Sequence, residues 1–354
     1  GTYVSLNTVG MKNIIINGDM SIAQRSTSVA SITASGYHTT DRWQTSYTSL
    51  GTWTQSQSTT VPTGQGFATS LKMDCTTADA SPSASDLLFI NQRFEGQNLQ
   101  YLKKGTSNAE STTLSFWVKS NKTGTYIVEL FDSDNTRQIS KSYTIDVADT
   151  WEKKTITYAG DTSGAFNNDN GESLRLNFWL GAGSTFSSGT LNTSWNSNTN
   201  ANRAVGQVNL ADSTANEWYV TGVQLEAGTT ASDFEFLPVD VNLQRCQRYF
   251  FLMCRGDQLD VGAGGYYNSG QIFCEVPLPV TMRTTPSLVA TSGTNYYRMF
   301  GNNTNDPFDA LQLGGGQSTL MQVYQTTGIS GTTGVAGWLR TNNASASVAA
   351  ESEL

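Results

Sequence analysis

Few side chains in this chain could perform catalysis. His38 is the single histidine among 354 residues, and no serine lies in a G-x-S-x-G motif, so a nucleophile with a histidine base is not indicated. Carboxylates that could cleave a glycosidic bond would include Glu129, Asp132 and Asp134, but a hairpin turn explains the two aspartates. The sequence also shows no parallel β-helix repeat. We therefore expect a protein without enzymatic activity.

Two stretches carry oxygen ligands close to turns. They are DSDN (132–135) and NNDNGE (167–172), and they supply Asp132, Asp134 and Asp169 as weak metal candidates. Calcium binds carboxylate and carbonyl oxygens from such loops. Neither stretch matches the full EF-hand loop, and a plain hairpin turn explains each composition. We expect no cofactor and no metal, with a structural calcium ion as the alternative.

Tyrosines that lie beside asparagines are the first candidates for binding a ligand. GAGGYYNSG (262–270) and TNYYRMFGNN (294–303) have the composition of recognition loops, in which aromatic rings supply contact area and amides supply hydrogen bonds. An ordinary loop or a contact between subunits is the alternative for both stretches. The candidate ligand-binding residues are Tyr266, Tyr267, Asn268, Tyr296 and Tyr297.

Trp117 and Trp179 are the second candidates. Each is out of phase with the aliphatic residues of its strand, so each is expected on the face opposite the core. An exposed tryptophan there would be a platform for a sugar, because the C–H faces of sugars are apolar. Alternatively, a second layer could bury these rings, with the long polar stretch 181–216 covering one sheet.

The elements that must position these residues are β-strands. Residues 113–120, 125–131 and 173–180 alternate between apolar and polar side chains, which is the period of half-buried strands. Turns rich in Gly, Asn and Asp separate such segments, and residues 217–228 read as a last strand. This pattern predicts an all-β fold with a jelly-roll β-sandwich.

One short helix interrupts the strands. Val239, Leu243, Cys246 and Phe250 follow Pro238 at spacings of 4, 3 and 4, which is the helical period, and Asp240 is a plausible N-cap. A smaller C-terminal β-sandwich is expected beyond it. The predicted organisation is a leader or attachment segment (1–12), a jelly-roll domain (13–237), a linking helix (238–251) and a distal β-domain (252–354).

The composition limits the class of protein and its partners. Hydrophobic residues make up 37% of the chain and charged residues 14%, with a net charge of −8, a profile typical of extracellular or virion β-proteins. No basic cluster and no long apolar stretch is present, so we expect neither nucleic-acid binding nor membrane insertion. The four cysteines form no CxxC pair, and free, buried thiols are expected.

Five stretches occur in an order that resembles a known module. They are NIIINGDMSIAQRS, TTDRWQ, GVQLEAGTTASDFEF, LQRCQRYF and VTMRTTPS, which run from Asn13 to Ser287. The set resembles a recurrent module of bacteriophage tail-fibre and receptor-binding proteins, and its first part resembles carbohydrate-binding jelly rolls. The resemblance implies a jelly-roll domain, a short linking helix and a distal β-domain in a homotrimer. It carries over no catalytic residues.

The resemblance also implies a function. It implies a tail-fibre protein of the virion that attaches to the host cell surface, with a surface polysaccharide and an upstream tail or fibre protein as partners. The net charge of −8 favours a neutral or weakly charged glycan, although local fields can override a net value. The alternative is a structural virion protein, either a capsid decoration or a tail adaptor, that has no ligand of its own.

Overall fold

The structure is a computed structural model that describes residues 11–301 and 304–354, and its regular secondary structure is almost entirely antiparallel β-strand. The chain divides into two compact units: the first ends at Asn242, and the second runs from Leu243 to Glu353. The predicted all-β class is confirmed. Most of the expected leader, residues 1–12, lies outside the described residues. None of the helices in the described ranges has the length and apolar character needed to cross a membrane.

The first unit is a sandwich of two sheets. Its strands are β1 (Ser28–Ile32), β2 (Gly36–Tyr37), β3 (Gln44–Thr48), β4 (Thr52–Ser58), β5 (Ser70–Thr77), β6 (Leu87–Glu95), β7 (Thr112–Ser120), β8 (Gly124–Asp132), β9 (Arg137–Ile145), β10 (Glu152–Tyr158), β11 (Glu172–Ala182), β12 (Asn196–Ser197) and β13 (Glu217–Ala227). Sheet A has the order β1-β4-β5-β13-β7-β10, and sheet B has the order β12-β9-β8-β11-β6-β3-β2.

The core of the first unit lies between sheets A and B. The three alternating segments predicted as strands are β7, β8 and β11, and their in-phase apolar residues are all buried there. Phe178 of β11 pairs with Val128 of β8 and packs edge-on against Phe116 of β7, at 5.0 Å between ring centroids. Each such side chain contributes about 1.5–3 kcal/mol through burial. This explains why the face of each strand that carries the apolar residues turns towards the core.

In segment 13–26, the run NIIIN followed by Gly18 predicts a short buried strand and a turn, and the structure differs from this prediction. The first residues of the segment are buried, but they join no sheet. Instead, the Gln92 side chain accepts a hydrogen bond from Ile16 N (2.7 Å) and donates one to Ile16 O (2.9 Å). The Asn13 amide donates to the carbonyl of Val223 (3.1 Å). Side chains therefore satisfy backbone groups that a neighbouring strand would otherwise bond.

The stretch 181–216 covers the outer face of sheet B, as one of the two alternatives predicted. It contains α1 (Ser184–Ser187), β12 and two 3-10 turns, Asn200–Asn202 and Leu210–Asp212. Phe186 and Ala204 of this stretch are buried in a cluster with Trp179 on that face. Beside the cluster, the Arg203 guanidinium binds both oxygens of the buried Glu129 carboxylate, at 2.9 and 3.0 Å. This bidentate pair holds the covering stretch on the sheet.

The predicted helix is confirmed, with corrected ends. It is α2 (Val239–Gln247), and the boundary between the two units falls within it. Asp240 lies in its first turn and is not the residue before the helix. A carboxylate in that turn still stabilises the helix, because it faces the positive end of the helix dipole. Phe250, expected as the last helical contact, begins the next strand.

The second unit is a smaller sandwich. Its strands are β14 (Phe250–Arg255), β15 (Asp260–Asn268), β16 (Gln271–Pro277), β17 (Ser287–Ala290), β18 (Tyr297–Gly301), β19 (Thr304–Phe308), β20 (Gln312–Gln317), β21 (Leu320–Gln325), β22 (Ala336–Thr341) and β23 (Ser347–Glu351). Sheet C has the order β14-β23-β17, and sheet D has the order β19-β18-β22-β15-β16-β21-β20.

All four cysteines are free and buried, as predicted. Burial raises the pKa of the Cys75 and Cys254 thiols to about 11 and that of Cys274 to about 12. Such thiols stay protonated at neutral pH, so they contribute to packing and are poor nucleophiles.

We expect Arg203→Met to destabilise the first unit by about 3–5 kcal/mol, because it leaves the Glu129 carboxylate buried without its partner. Urea unfolding followed by tryptophan fluorescence measures this, since seven of the eight tryptophans lie at or before residue 218.

Arg175→Met is the matched control, because Arg175 forms a more exposed pair with Glu172 and should cost less than about 1 kcal/mol. Adding Glu129→Gln to Arg203→Met should recover part of the loss, because it removes the buried charge. Equal losses for Arg203→Met and Arg175→Met would contradict the assigned role of the pair.

Candidate functional site

The structure separates the predicted tyrosine cluster into two parts. Tyr266, Tyr267 and Asn268 end β15, whereas Tyr296 and Tyr297 lie where β18 begins. Arg298 of β18 pairs with Arg340 of β22, which pairs with Asp260 at the start of β15. The two tyrosine pairs therefore lie at opposite ends of sheet D, roughly 20 Å apart along the strands. They cannot form one binding site, which corrects the prediction.

One tyrosine of each pair belongs to the core. Tyr266 is buried and donates to Asp306 Oδ2 (3.2 Å), and Tyr297 is buried and donates to Thr291 O (2.6 Å). Burial raises the pKa of both hydroxyls to about 12, so they remain neutral donors. These two rings are not available to a ligand, so naming Tyr266 and Tyr297 as ligand-binding residues is wrong.

The other predicted residues of the second unit reach the surface to different degrees. Tyr267 is 69% exposed, and Tyr296 is half-buried. Asn268 is exposed, but its Oδ1 accepts a hydrogen bond from Gly270 N (2.9 Å) and so closes the turn between β15 and β16. Of the five residues, Tyr267 is the one whose ring is mostly open to solvent.

Tyr267 begins a row of rings across the outer face of sheet D. Its ring contacts Phe273 of β16 edge-on (5.7 Å), and Phe273 stacks on Tyr324 of β21 (5.8 Å). On the other side of β15, Trp338 of β22 is 51% exposed and pairs with the half-buried Phe300 of β18. Trp338 with Phe300 and Phe273 with Tyr324 therefore flank β15 on this face as two aromatic walls, and Tyr267 lies at the end of β15 itself.

The strand between the walls carries small outward side chains. Ala263 lies between Trp338 and Glu275, and Gly265 lies between Ala336 and Phe273. Because adjacent strands are about 4.8 Å apart, the walls are roughly 10 Å apart. We call this surface the aromatic trough: its floor is Ala263, Gly265 and Ala336, its walls are Trp338 with Phe300 and Phe273 with Tyr324, and Tyr267 closes one end.

Polar groups line one side of the aromatic trough. Glu275 is exposed beside Ala263, and it pairs across the strands with the half-buried Gln322. Within the described ranges the Glu275 carboxylate makes no ion pair, whereas Asp260 binds Arg340 (2.5 Å). A carboxylate and an amide beside apolar rings suit a neutral ligand that carries many hydroxyl groups. The carboxylate would repel an anionic ligand.

The sequence analysis did not predict most of the residues that form the aromatic trough. Trp338, Phe300, Phe273 and Tyr324 come from four strands that are distant in the chain, so no local motif joins them. A usable signal exists within β16 and β21, where Phe273 and Tyr324 alternate with buried aliphatic neighbours. That alternation places both rings on the outer face.

The two tryptophan candidates of the first unit have different environments. Trp179 is fully buried: its ring lies 4.8 Å from Phe89 and 5.6 Å from Phe186, and its Nε1 donates to Glu129 Oε2 (3.2 Å). The alternative that a second layer buries the ring is therefore correct for Trp179. Trp117 lies on the outer face of sheet A and is half-buried, so part of its ring remains accessible.

The three metal candidates are engaged in local hydrogen bonds. Asp132 is buried and pairs with the Lys104 ammonium (2.5 Å), which already supplies the positive charge. Asp134 accepts from the backbone and side chain of Asn167 (2.9 and 2.7 Å), and Asp169 accepts from Gly171 N (2.8 Å). Across the part of the chain that the structure describes, no group of three or more His, Cys, Asp or Glu side chains could hold an ion.

Comparisons with known proteins give structural similarity without sequence relatives. No model of a known protein family matches the chain. A search of curated proteins likewise finds no match.

Three solved structures illustrate the similarity. The enzymatically active domain of tailspike protein 4 from bacteriophage CBA120 is 15% identical, with a TM-score of 0.33 over 61% of this chain and 21% of the tailspike chain. The module TmCBM61, in complex with β-1,4-galactotriose, is 10% identical, with a TM-score of 0.32 over 61% of this chain and 99% of the module. A family 11 carbohydrate-binding module from Clostridium thermocellum is 11% identical, with a TM-score of 0.28 over 54% and 91%.

Two adjacent positions of β15 test the geometry of the trough floor. We expect Ala263→Leu to change the free energy of unfolding by less than about 0.5 kcal/mol, because the new side chain points to solvent. Gly264→Ala should cost about 1–3 kcal/mol, because a Cβ at Gly264 would lie 2.1 Å from the carbonyl oxygen of Phe273. Thermal unfolding of both variants measures the difference, and equal stabilities would contradict this register of β15.

Proposed function

We propose that the chain binds a neutral, hydroxyl-rich glycan in the aromatic trough and has no catalytic activity of its own. The observation that carries the proposal is the pair of exposed rings, Trp338 beside a floor of small residues and Tyr267 at its end. Soluble proteins rarely expose large aromatic side chains together unless the surface binds something. Phe273 supports Tyr267 from beside it, which limits the entropy lost when a ligand stacks on the ring.

The chemistry of the trough matches the chemistry of sugars. Pyranose rings have apolar C–H faces that stack on aromatic rings, while their hydroxyl groups need hydrogen-bond partners at the edge. Glu275 accepts hydrogen bonds from hydroxyl groups, and Gln322 can both donate and accept. Binding at one trough should be weak, because these hydrogen bonds replace bonds of similar strength to water.

The wider role that we propose is attachment of a phage tail fibre to a bacterial surface polysaccharide. The support for this part is the ordered set of motifs between Asn13 and Ser287, not the trough itself. In such a fibre the chain would be a homotrimer on the virion, joined to an upstream tail or fibre protein. Three weak sites on one particle would then gain avidity from their high effective concentration.

The adsorption of labelled protein to host cells tests the proposed site. We expect the double change Tyr267→Ala/Trp338→Ala to reduce adsorption by about tenfold or more, because each ring contributes up to about 1.5 kcal/mol. Tyr101→Ala is the matched control, since Tyr101 is 49% exposed but lies in the first unit. Unchanged adsorption of the double variant, with wild-type protein adsorbing, would refute the trough as the binding site.

Light scattering tests the oligomeric state and the structural alternative together. We expect a mass of about three times the 38.3 kDa of one chain, and the same mass for Tyr267→Ala/Trp338→Ala. A clean monomer at micromolar concentration would contradict the trimer. If the double change dissociates the trimer instead, the trough is a contact between subunits, and the structural virion role becomes the better one.

A further inference from the structure

The outer face of sheet A carries an aromatic ring beside two cationic side chains. Trp117 of β7 lies directly opposite Lys153 of β10 on one side and Thr221 of β13 on the other. Two residues further along β7, Lys119 lies opposite Tyr219 of β13. Directly opposite side chains are about 4.5–5.5 Å apart at Cβ, and residues i and i+2 of a strand are about 6.6 Å apart. Both lysines can therefore reach the edge of the Trp117 ring.

The charges on this face do not cancel. Lys72 balances one of the two nearby acids: its ammonium binds Glu217 (2.7 Å) and approaches Asp74 (3.4 Å). Lys119 contacts the Tyr219 ring at 5.0 Å from its centroid. Among the described residues, neither Lys119 nor Lys153 forms an ion pair. Glu217 also interacts electrostatically with Lys119, so these three lysines and two acids leave a net charge of +1 on the face, and Lys153 is the lysine directly opposite Trp117.

We propose that this face is a second carbohydrate site, one that binds a glycan carrying an anionic substituent. A sugar ring stacks on Trp117, and its carboxylate or sulfate group accepts hydrogen bonds from Lys153 and Lys119. Hydrogen bonds between charged groups are roughly twice as strong as neutral ones, so two lysines give the site its selectivity for an anion. The exposed Thr155, two residues from Lys153 on β10, offers a hydroxyl group for the rest of the ring.

The net charge of −8 does not prevent such binding. At physiological ionic strength, charges more than about 8 Å away are largely screened, so a ligand at Trp117 responds mainly to the two nearby lysines. The two sites then have opposite preferences: Glu275 disfavours anions at the aromatic trough, and Lys119 with Lys153 favour them on sheet A. The second site goes beyond the proposed function, because it uses residues of the first unit alone.

Titration calorimetry with defined oligosaccharides tests the second site. The probes are an oligogalacturonate, a sulfated oligosaccharide of similar length and neutral maltohexaose. We expect the wild-type protein to bind at least one of the anionic probes, more weakly as salt rises, and the tighter probe identifies the group. Lys119→Gln/Lys153→Gln should weaken that binding about tenfold or more, and Trp117→Ala should do the same.

A matched double variant distinguishes binding at this site from an effect of the total charge of the protein. Lys103→Gln/Lys141→Gln removes the same two charges from outside the outer face of sheet A and should bind like the wild type. Wild-type affinity in Lys119→Gln/Lys153→Gln would overturn the proposal, and so would wild-type affinity in Trp117→Ala, which would reduce the face to a plain basic patch. Binding of neither anionic probe by the wild type would also overturn it.

The trough variant keeps this test separate from the first proposal. Tyr267→Ala/Trp338→Ala should retain full affinity for the anionic probe, because both changes lie in the second unit. If the trough fails as the host-binding site while Trp117 and the two lysines prove necessary for anion binding, the second site stands alone.

Discussion

A β-strand presents side chains on two faces, and in each sandwich only one of these faces packs between the paired sheets. With 37% hydrophobic residues, the chain fills the space between paired sheets and has little left for the outer faces. Each outer face must therefore be covered, charged or left open. Sheet B is covered, sheet A carries lysines around Trp117, and sheet D exposes aromatic rings beside small residues. The binding surfaces that we propose lie on the outer faces of sheets A and D.

The covered face shows what burial of polar groups requires. The stretch 181–216 has few large apolar residues, so its contact with sheet B depends on a small cluster around Trp179 and on the Arg203–Glu129 pair. Trp179 Nε1 and the Asn177 amide both donate to the same carboxylate. A buried charge is tolerated when all its hydrogen-bonding positions are used. The result is a sheet face that is closed to ligands.

The spacing of apolar residues within each segment predicts the strands and the helix, but it does not predict which residues form the aromatic trough. Strands β7, β8 and β11 and helix α2 follow from the spacing of their own apolar residues. The tyrosine pairs were misjudged because adjacent residues of a strand point to opposite faces, so Tyr266 and Tyr297 are inward when Tyr267 is outward. The segment 13–26 was misread because Gln92, a distant residue, supplies its hydrogen bonds. The trough joins residues from strands whose pairing no local pattern reveals.

The small side chains on the floor of the aromatic trough allow this surface to change in evolution without a change in the core. Ala263 and Ala336 face solvent, so a larger residue at either position alters the depth of the trough while leaving the packed interior untouched. Ligand preference and folding are therefore largely independent properties at these two positions. Substitutions at these two positions would therefore change the shape of the proposed binding surface with little loss of folded protein.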